Sequence, residues 1–101
     1  MKYWITWTSR EGGSPQDHDL AAQRALDLFA KWEPEPGVHI HQLLGGLDGR
    51  SGACVLETDD PHTVVRTTAL FAPFFNYTVV PALDLEEAVD DYRGAIDRRG
   101  S

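Results

Sequence analysis

Residues 2–8 alternate Lys2, Trp4, Thr6 and Thr8 against Tyr3, Ile5 and Trp7, a period of two that predicts a strand with one strongly apolar face. A polar, glycine-bearing loop runs from Arg10 to Ser14. Ser14-Pro15-Gln16-Asp17 then reads as an N-cap, a proline at the first helical position and an acid at the third. Ala21, Ala25, Leu28, Phe29 and Trp32 recur at helical spacing, with Ala22 and Leu26 widening the stripe, until Pro34, Pro36 and Gly37 stop the helix. Val38–Leu47 and Gly52–Thr58 are the second and third strands. Pro61–Phe71 is a helix with Val64, Val65, Thr68 and Phe71 inward, and Phe74–Ala82 is a fourth strand. Asp84-Leu85-Glu86-Glu87 opens a terminal helix, about 84–98, with an apolar stripe of Leu85, Ala88, Val89, Tyr92 and Ile96. Gly100-Ser101 is expected to fray.

The connections decide the topology. Asp48-Gly49 between apolar runs predicts a tight hairpin, because glycine takes the positive φ that such a turn requires. Asp60-Pro61 predicts a helix start: the carboxylate accepts orphan amide protons and proline tolerates the first turn. The hairpin is thus the centre of a βαββαβ unit, an α+β ferredoxin-like domain spanning residues 1–101. Its four-stranded antiparallel sheet has the order 4-1-3-2, with a C-terminal helix after the last strand. Pro81 suits the edge position of the fourth strand, since it cannot donate a ladder hydrogen bond.

Two crossover helices cover one face of such a sheet, yet both faces here are apolar. Tyr3, Ile5 and Trp7 oppose Trp4; Val38, Ile40 and Leu44 oppose Leu43 and Leu47; Phe75, Tyr77 and Val79 oppose Phe74 and Val80. Sheet-to-sheet pairing into a dimeric α+β barrel is the expected solution, because monomers rarely expose patches of that size. The alternative is that the terminal helix covers the second face of a monomer.

Composition narrows the class. The chain has 101 residues, 42% of them hydrophobic and 25% charged, which suits one domain with a single core. A net charge of −7 without a basic stripe argues against nucleic acid as a partner. The single cysteine, Cys54, excludes a disulfide within these residues and any cysteine zinc cluster; it reads as a small buried hydrophobe. Met1–Trp7 lacks the apolar run of a signal peptide, and no stretch has the length to span a bilayer. The expectation is a cytoplasmic protein with no membrane partner.

The opening Met1-Lys2-Tyr3-Trp4-Ile5-Thr6-Trp7, the Asp48-Gly49 hairpin, Leu56-Glu57-Thr58-Asp59-Asp60-Pro61 and Val79-Val80-Pro81 resemble the small domains grouped as domain of unknown function 3303, over most of residues 1–90. The resemblance implies a dimeric α+β barrel, the superfamily of cofactor-free monooxygenases, lactone isomerases and related small-molecule enzymes. It implies no particular activity. The family commonly carries an aromatic–histidine pair late in its second strand, where this chain has Leu44-Gly45.

The candidate chemistry centres on His39 and His41, which strand alternation puts on one face about 7 Å apart, close enough to share a substrate or a metal. A cupin-like metal site would need a nearby glutamate, where Gly45 and Gly46 stand instead, so no metal is assigned. Two half-exposed histidines guarding an edge strand are the plainer reading. His39, His41 and Tyr77 are the candidate catalytic residues, and Trp4, Trp7, Phe75 and Asn76 the candidate substrate-binding ones, because aromatics with convergent polar groups clamp planar ligands. Each aromatic taken singly reads equally as core or interface.

Glu57 lies opposite Leu56, where a strand carboxylate beside a cleft can have a raised pKa, or sit solvated at a strand end. Asp59 and Asp60 are not a catalytic pair, because adjacent residues face apart and Asp60 caps a helix. Gly45-Gly46 with Gly49 lacks the lysine of a phosphate loop and suggests a bulge or close strand approach.

Two functions fit. One is an enzyme acting on a small hydrophobic, aromatic or polyketide-like molecule by oxygenation, isomerisation or cyclisation, with no tightly bound cofactor. The other is a non-catalytic ligand-binding or interaction dimer, which predicts no large internal pocket and a conspicuous outer apolar or acidic patch.

Overall fold

Caps and turns along the chain determine where each element begins and ends. A computed structural model of the protein describes residues 1–10 and 13–100; Glu11 and Gly12 of the expected polar loop, and Ser101, lie outside the described residues. The elements run β1 (Lys2–Ser9), α1 (Pro15–Lys31), β2 (His39–Gly45), β3 (Ser51–Glu57), α2 (Pro61–Phe71), β4 (Phe75–Ala82) and α3 (Leu85–Gly100). The sheet is antiparallel in the order β2-β3-β1-β4, with β2 and β4 at its edges. The ferredoxin-like α+β expectation holds, including Pro81 on an edge strand.

Capping sets the helix starts. Ser14 Oγ accepts from the Asp17 amide at 3.1 Å while the Asp17 carboxylate accepts from the Ser14 amide at 3.1 Å, a reciprocal box that satisfies two orphan donors. Asp60 Oδ1 accepts from the His62 amide at 3.0 Å and opens α2. Behind that cap, the buried Thr58 and Thr63 hydroxyls bond each other at 3.2 Å, and Thr63 also donates to the Asp60 carbonyl at 2.7 Å. At the head of α3, the Asp84 carboxylate instead takes the Lys2 ammonium at 2.6 Å, tying the root of that helix to the start of β1.

Three local expectations change. The β2–β3 connection is not a tight two-residue hairpin: β2 stops at Gly45, and Leu47 stands fully exposed in a longer turn. That turn is organised by Asp48, whose Oδ1 accepts from the Arg50 amide, the Ser51 amide and the Ser51 hydroxyl, while Gly49 supplies the positive φ of 72°. The strand bulge falls at His41, not at Gly45-Gly46: Ile40 opposes Leu56 and Gln42 opposes Val55, so His41 is the extra residue. One extra residue reverses the facing of the rest of the strand, so Leu43, opposite buried Cys54, joins the helix side and Leu44, opposite Ala53, the outer side. In α2, Val65 is 64% exposed, and Thr63, Val64 and Phe71 make its buried face.

The core lies between sheet and helices, around Ile5, Cys54, Leu56 and Val64, with Tyr3, Trp7, Val38, Ile40 and Tyr77 packed against it. Burial raises the pKa of the Cys54 thiol, consistent with an inert core residue. The other face stays open. Trp4 is 57% exposed and Val80 48%. The terminal helix does not cover that face: α3 buries none of its residues, and its stripe residues Leu85, Tyr92 and Ile96 are all exposed. The molecule is correspondingly long, 62 Å in its largest dimension, with a radius of gyration of 17.4 Å. A compact chain of this length would have a radius of gyration of about 13 Å.

Candidate functional site

Between the sheet and the inner sides of α1 and α2 lies a chamber of about 630 Å³. Its existence traces to side-chain size. The sheet-facing side of α1 carries Ala21, Ala22 and Ala25 where larger residues would have filled the gap, while Leu26, Phe29 and Trp32 line its far side. The floor is aromatic: Trp7, Phe75 and Tyr77 form a cluster with ring centroids 6.0–6.3 Å apart in tilted and edge-on arrangements. A second cluster closes the helix side, Phe29 stacking on Trp32 at 6.0 Å and Trp32 meeting Phe71 edge-on at 6.0 Å. Such edge-to-face sets hold each ring in place and leave flat apolar walls.

Tyr77 is the polar group set into that floor. Burial pushes its phenol up to about 12, so it stays protonated at any physiological pH and offers a hydrogen-bond donor. The chamber's mouth lies at one end of the sheet, where Arg10 follows β1, Arg50 sits in the β2–β3 turn and His18 occupies the first turn of α1. Arg10 is anchored there: its amide donates to the Phe74 carbonyl at 3.0 Å and its Nε to the Ala72 carbonyl at 2.7 Å. In the sequence these three read only as loop and helix-start residues. The topology itself is the signal that finds them, since a βαββαβ unit brings the end of β1, the β2–β3 turn and the start of α1 to the same end of the sheet.

The histidine pair lies elsewhere, on the open face and at the opposite end of the sheet. The bulge brings the His39 and His41 rings to a centroid distance of 4.4 Å, edge to face, closer than regular alternation would allow. His41 Nε2 meets Glu57 Oε1 at 2.7 Å. Glu57 is therefore held below the usual carboxylate range, first by that hydrogen bond, rather than raised. Lys2, opposite Glu57 across the ladder, and Asp84 complete a string of polar groups there. Among the described residues, no group of three or more His, Cys, Asp or Glu is placed to hold a metal ion.

The candidate residues thus divide between two places. Trp7, Phe75 and Tyr77 come together in the chamber. Trp4, His39 and His41 share the open face. Asn76 lines a shallow outer concavity with Thr6, Thr8 and Thr78, near the mouth end. Among the described residues, His41 and Tyr77 lie on opposite faces of the sheet.

A ferredoxin-like α+β domain whose helices stand over an aromatic chamber is the class of protein that fold and site define. The chain belongs to the family described as domain of unknown function (DUF3303), whose model matches residues 1–95. No curated protein matches it. Among solved structures, a mutant of SnoaB, a cofactor-independent oxygenase from Streptomyces nogalater, is similar at 19% identity, covering 80% of this chain and 92% of that one, with a TM-score of 0.36. Another SnoaB structure matches at 20% identity over 82% and 92% of the two chains, with a TM-score of 0.31. No helix among the described residues is long and apolar enough to cross a membrane.

Proposed function

We propose that the chain is a small-molecule enzyme acting on an aromatic or polyketide-like substrate held in the chamber, without a tightly bound cofactor, by oxygenation, isomerisation or cyclisation. The observation that carries this is the chamber itself: about 630 Å³, aromatic-walled, with a phenol in its floor whose ionisation is pushed up by burial. Its size falls within the range of small-molecule sites, which are apolar with a few placed polar groups. Trp7 and Phe75 orient a planar substrate by stacking, and Tyr77 donates a hydrogen bond to a carbonyl or developing oxyanion. The absence of a tight cofactor comes from the family resemblance.

The working unit in this reading is a homodimer joined through the open sheet face, with His39, His41 and Trp4 at the interface. The chain exposes 7711 Å², where a compact monomer of its mass exposes about 5,700 Å². That excess, about 2,000 Å², is on the scale that obligate partners cover.

Quinols and lactones incubated with the full chain, with no metal or flavin added, test the assignment. Turnover should appear and should fall by about tenfold or more in Tyr77→Phe. Ligand binding in the chamber without turnover of any member would favour a carrier. Failure of every member to bind would overturn the chamber reading.

A further inference from the structure

We propose that the ligand of this chamber carries an oxyanion, a carboxylate or an ionised phenol or enol, at one end of its planar apolar body, and that Arg10 and Arg50 seat that group at the mouth. The inference rests on the chamber being a ligand site.

It comes from a charge asymmetry. The chain carries 16 acidic residues against 9 basic ones, yet among the described residues no aspartate or glutamate lines the chamber, while Arg10, Arg50 and His18 do. All three lie at the end of the sheet where β1 ends, the end at which Phe75 pairs with Ser9. A neutral ligand requires no such segregation. An anionic one does, because an overall charge of −7 repels it at long range and only a local cationic rim reverses that.

The backbones that carry the two arginines are joined. The Ser9 amide, one residue before Arg10, donates to the Arg50 carbonyl at 2.7 Å, so the end of β1 and the turn are bonded side by side. Arg10 uses Nε on the Ala72 carbonyl, which fixes its guanidinium while using one of five donors. A guanidinium fork suits the geometry of a carboxylate or phenolate.

Two acids near these residues are engaged within their own turns. Asp17, beside His18, caps α1. Asp48 is drawn to Arg50, but its Oδ1 already accepts from three donors of its own turn. A ligand oxyanion at the rim would thus meet donors, with its apolar rings directed toward Trp7, Phe75 and Tyr77.

Calorimetric titration of the full chain with anthraquinone-2-carboxylate and with its uncharged carboxamide tests this. The two probes share one ring system and differ in charge. The carboxylate should bind about tenfold or more tightly than the amide, and that preference should shrink as salt rises from about 50 to about 500 mM. Arg50→Gln, and separately Arg10→Gln, should reduce the preference to about threefold or less. Where loss of the Ala72 anchor in Arg10→Gln unfolds the chain, Arg50→Gln carries the test.

Equal affinity for acid and amide would overturn the anionic-ligand inference and leave the chamber reading standing. A preference that survives both arginine substitutions would overturn the role given to these residues. If neither probe binds, the chamber reading falls and this inference with it.

Discussion

Trp7 stands directly opposite Gly52 in the β1–β3 ladder, and its indole fills the space that a side chain on Gly52 would occupy. The glycine is thus a steric requirement of the chamber floor rather than a turn residue. With no Cβ beneath it, the indole lies down against the strand and meets Phe75 and Tyr77, instead of standing up into the cavity.

Gly52→Ala should therefore cost about 1–3 kcal/mol of stability, the usual range for overpacking a core contact. Most of that cost should vanish in a Trp7→Leu background, where the clash has no second partner. Chemical denaturation of the four proteins of the cycle gives the coupling, expected to exceed about 0.5 kcal/mol. Additive effects would show that the indole does not depend on the glycine.

The Tyr77 phenol should ionise late. In an alkaline absorbance titration of the folded protein, one tyrosine step is expected at about 12, and Tyr77→Phe should remove it. The raised folded value also fixes the sign of the stability change. Above the ordinary phenol value near 10, the unfolded chain releases a proton that the folded chain keeps, so stability declines with rising pH until about 12. Tyr77→Phe should flatten that decline.

His41 and Glu57 predict the opposite limb. Because the folded Glu57 carboxyl lies below its ordinary value, the stabilisation from the pair is fully present above that ordinary value. It is lost as pH falls through the depressed one. The difference in Tm between wild type and Glu57→Gln should be measurable near neutral pH and should close in acid. A gap unchanged from neutral pH into strong acid would mean that the carboxylate's charge does not matter to the bulge.

Much of the fold was legible because its signals are local. Ser14-Pro15 and Asp60-Pro61 mark helix starts by chemistry that needs no tertiary context, and the βαββαβ sequence of elements implies the sheet order and the edge position of Pro81. Features set by pairing across the sheet escaped. The bulge at His41 arises from how β2 registers on β3, and it moves Leu43, Leu44 and the histidine spacing together. The candidate site was half legible. Trp7, Phe75 and Tyr77 announce themselves as aromatics of two adjacent strands, but the chamber depends on Ala21, Ala22 and Ala25, which read as ordinary core stripe. Arg10 and Arg50 gain meaning only when β1 and the β2–β3 turn meet at one end.

The proposed dimer makes a prediction about the open face. Trp4 and Val80 are paired on the uncovered side of the sheet, and α3 extends from the Lys2–Asp84 tie with Tyr92 and Ile96 unburied. A second copy meets both needs at once, sheet face against sheet face and the projecting helix against the partner. Light scattering at micromolar concentration should give twice the 11.2 kDa chain mass, with a melting temperature that rises with protein concentration. Trp4→Asp, a charge at the centre of the apolar face, should unfold the protein rather than release a stable monomer. Ile96→Asp, at the far end of the helix, should leave a folded dimer whose dissociation constant is weakened by about tenfold or more. A monomeric mass for the wild-type chain with native circular dichroism would refute the dimer, and an unaltered dissociation constant in Ile96→Asp would refute the part given to α3.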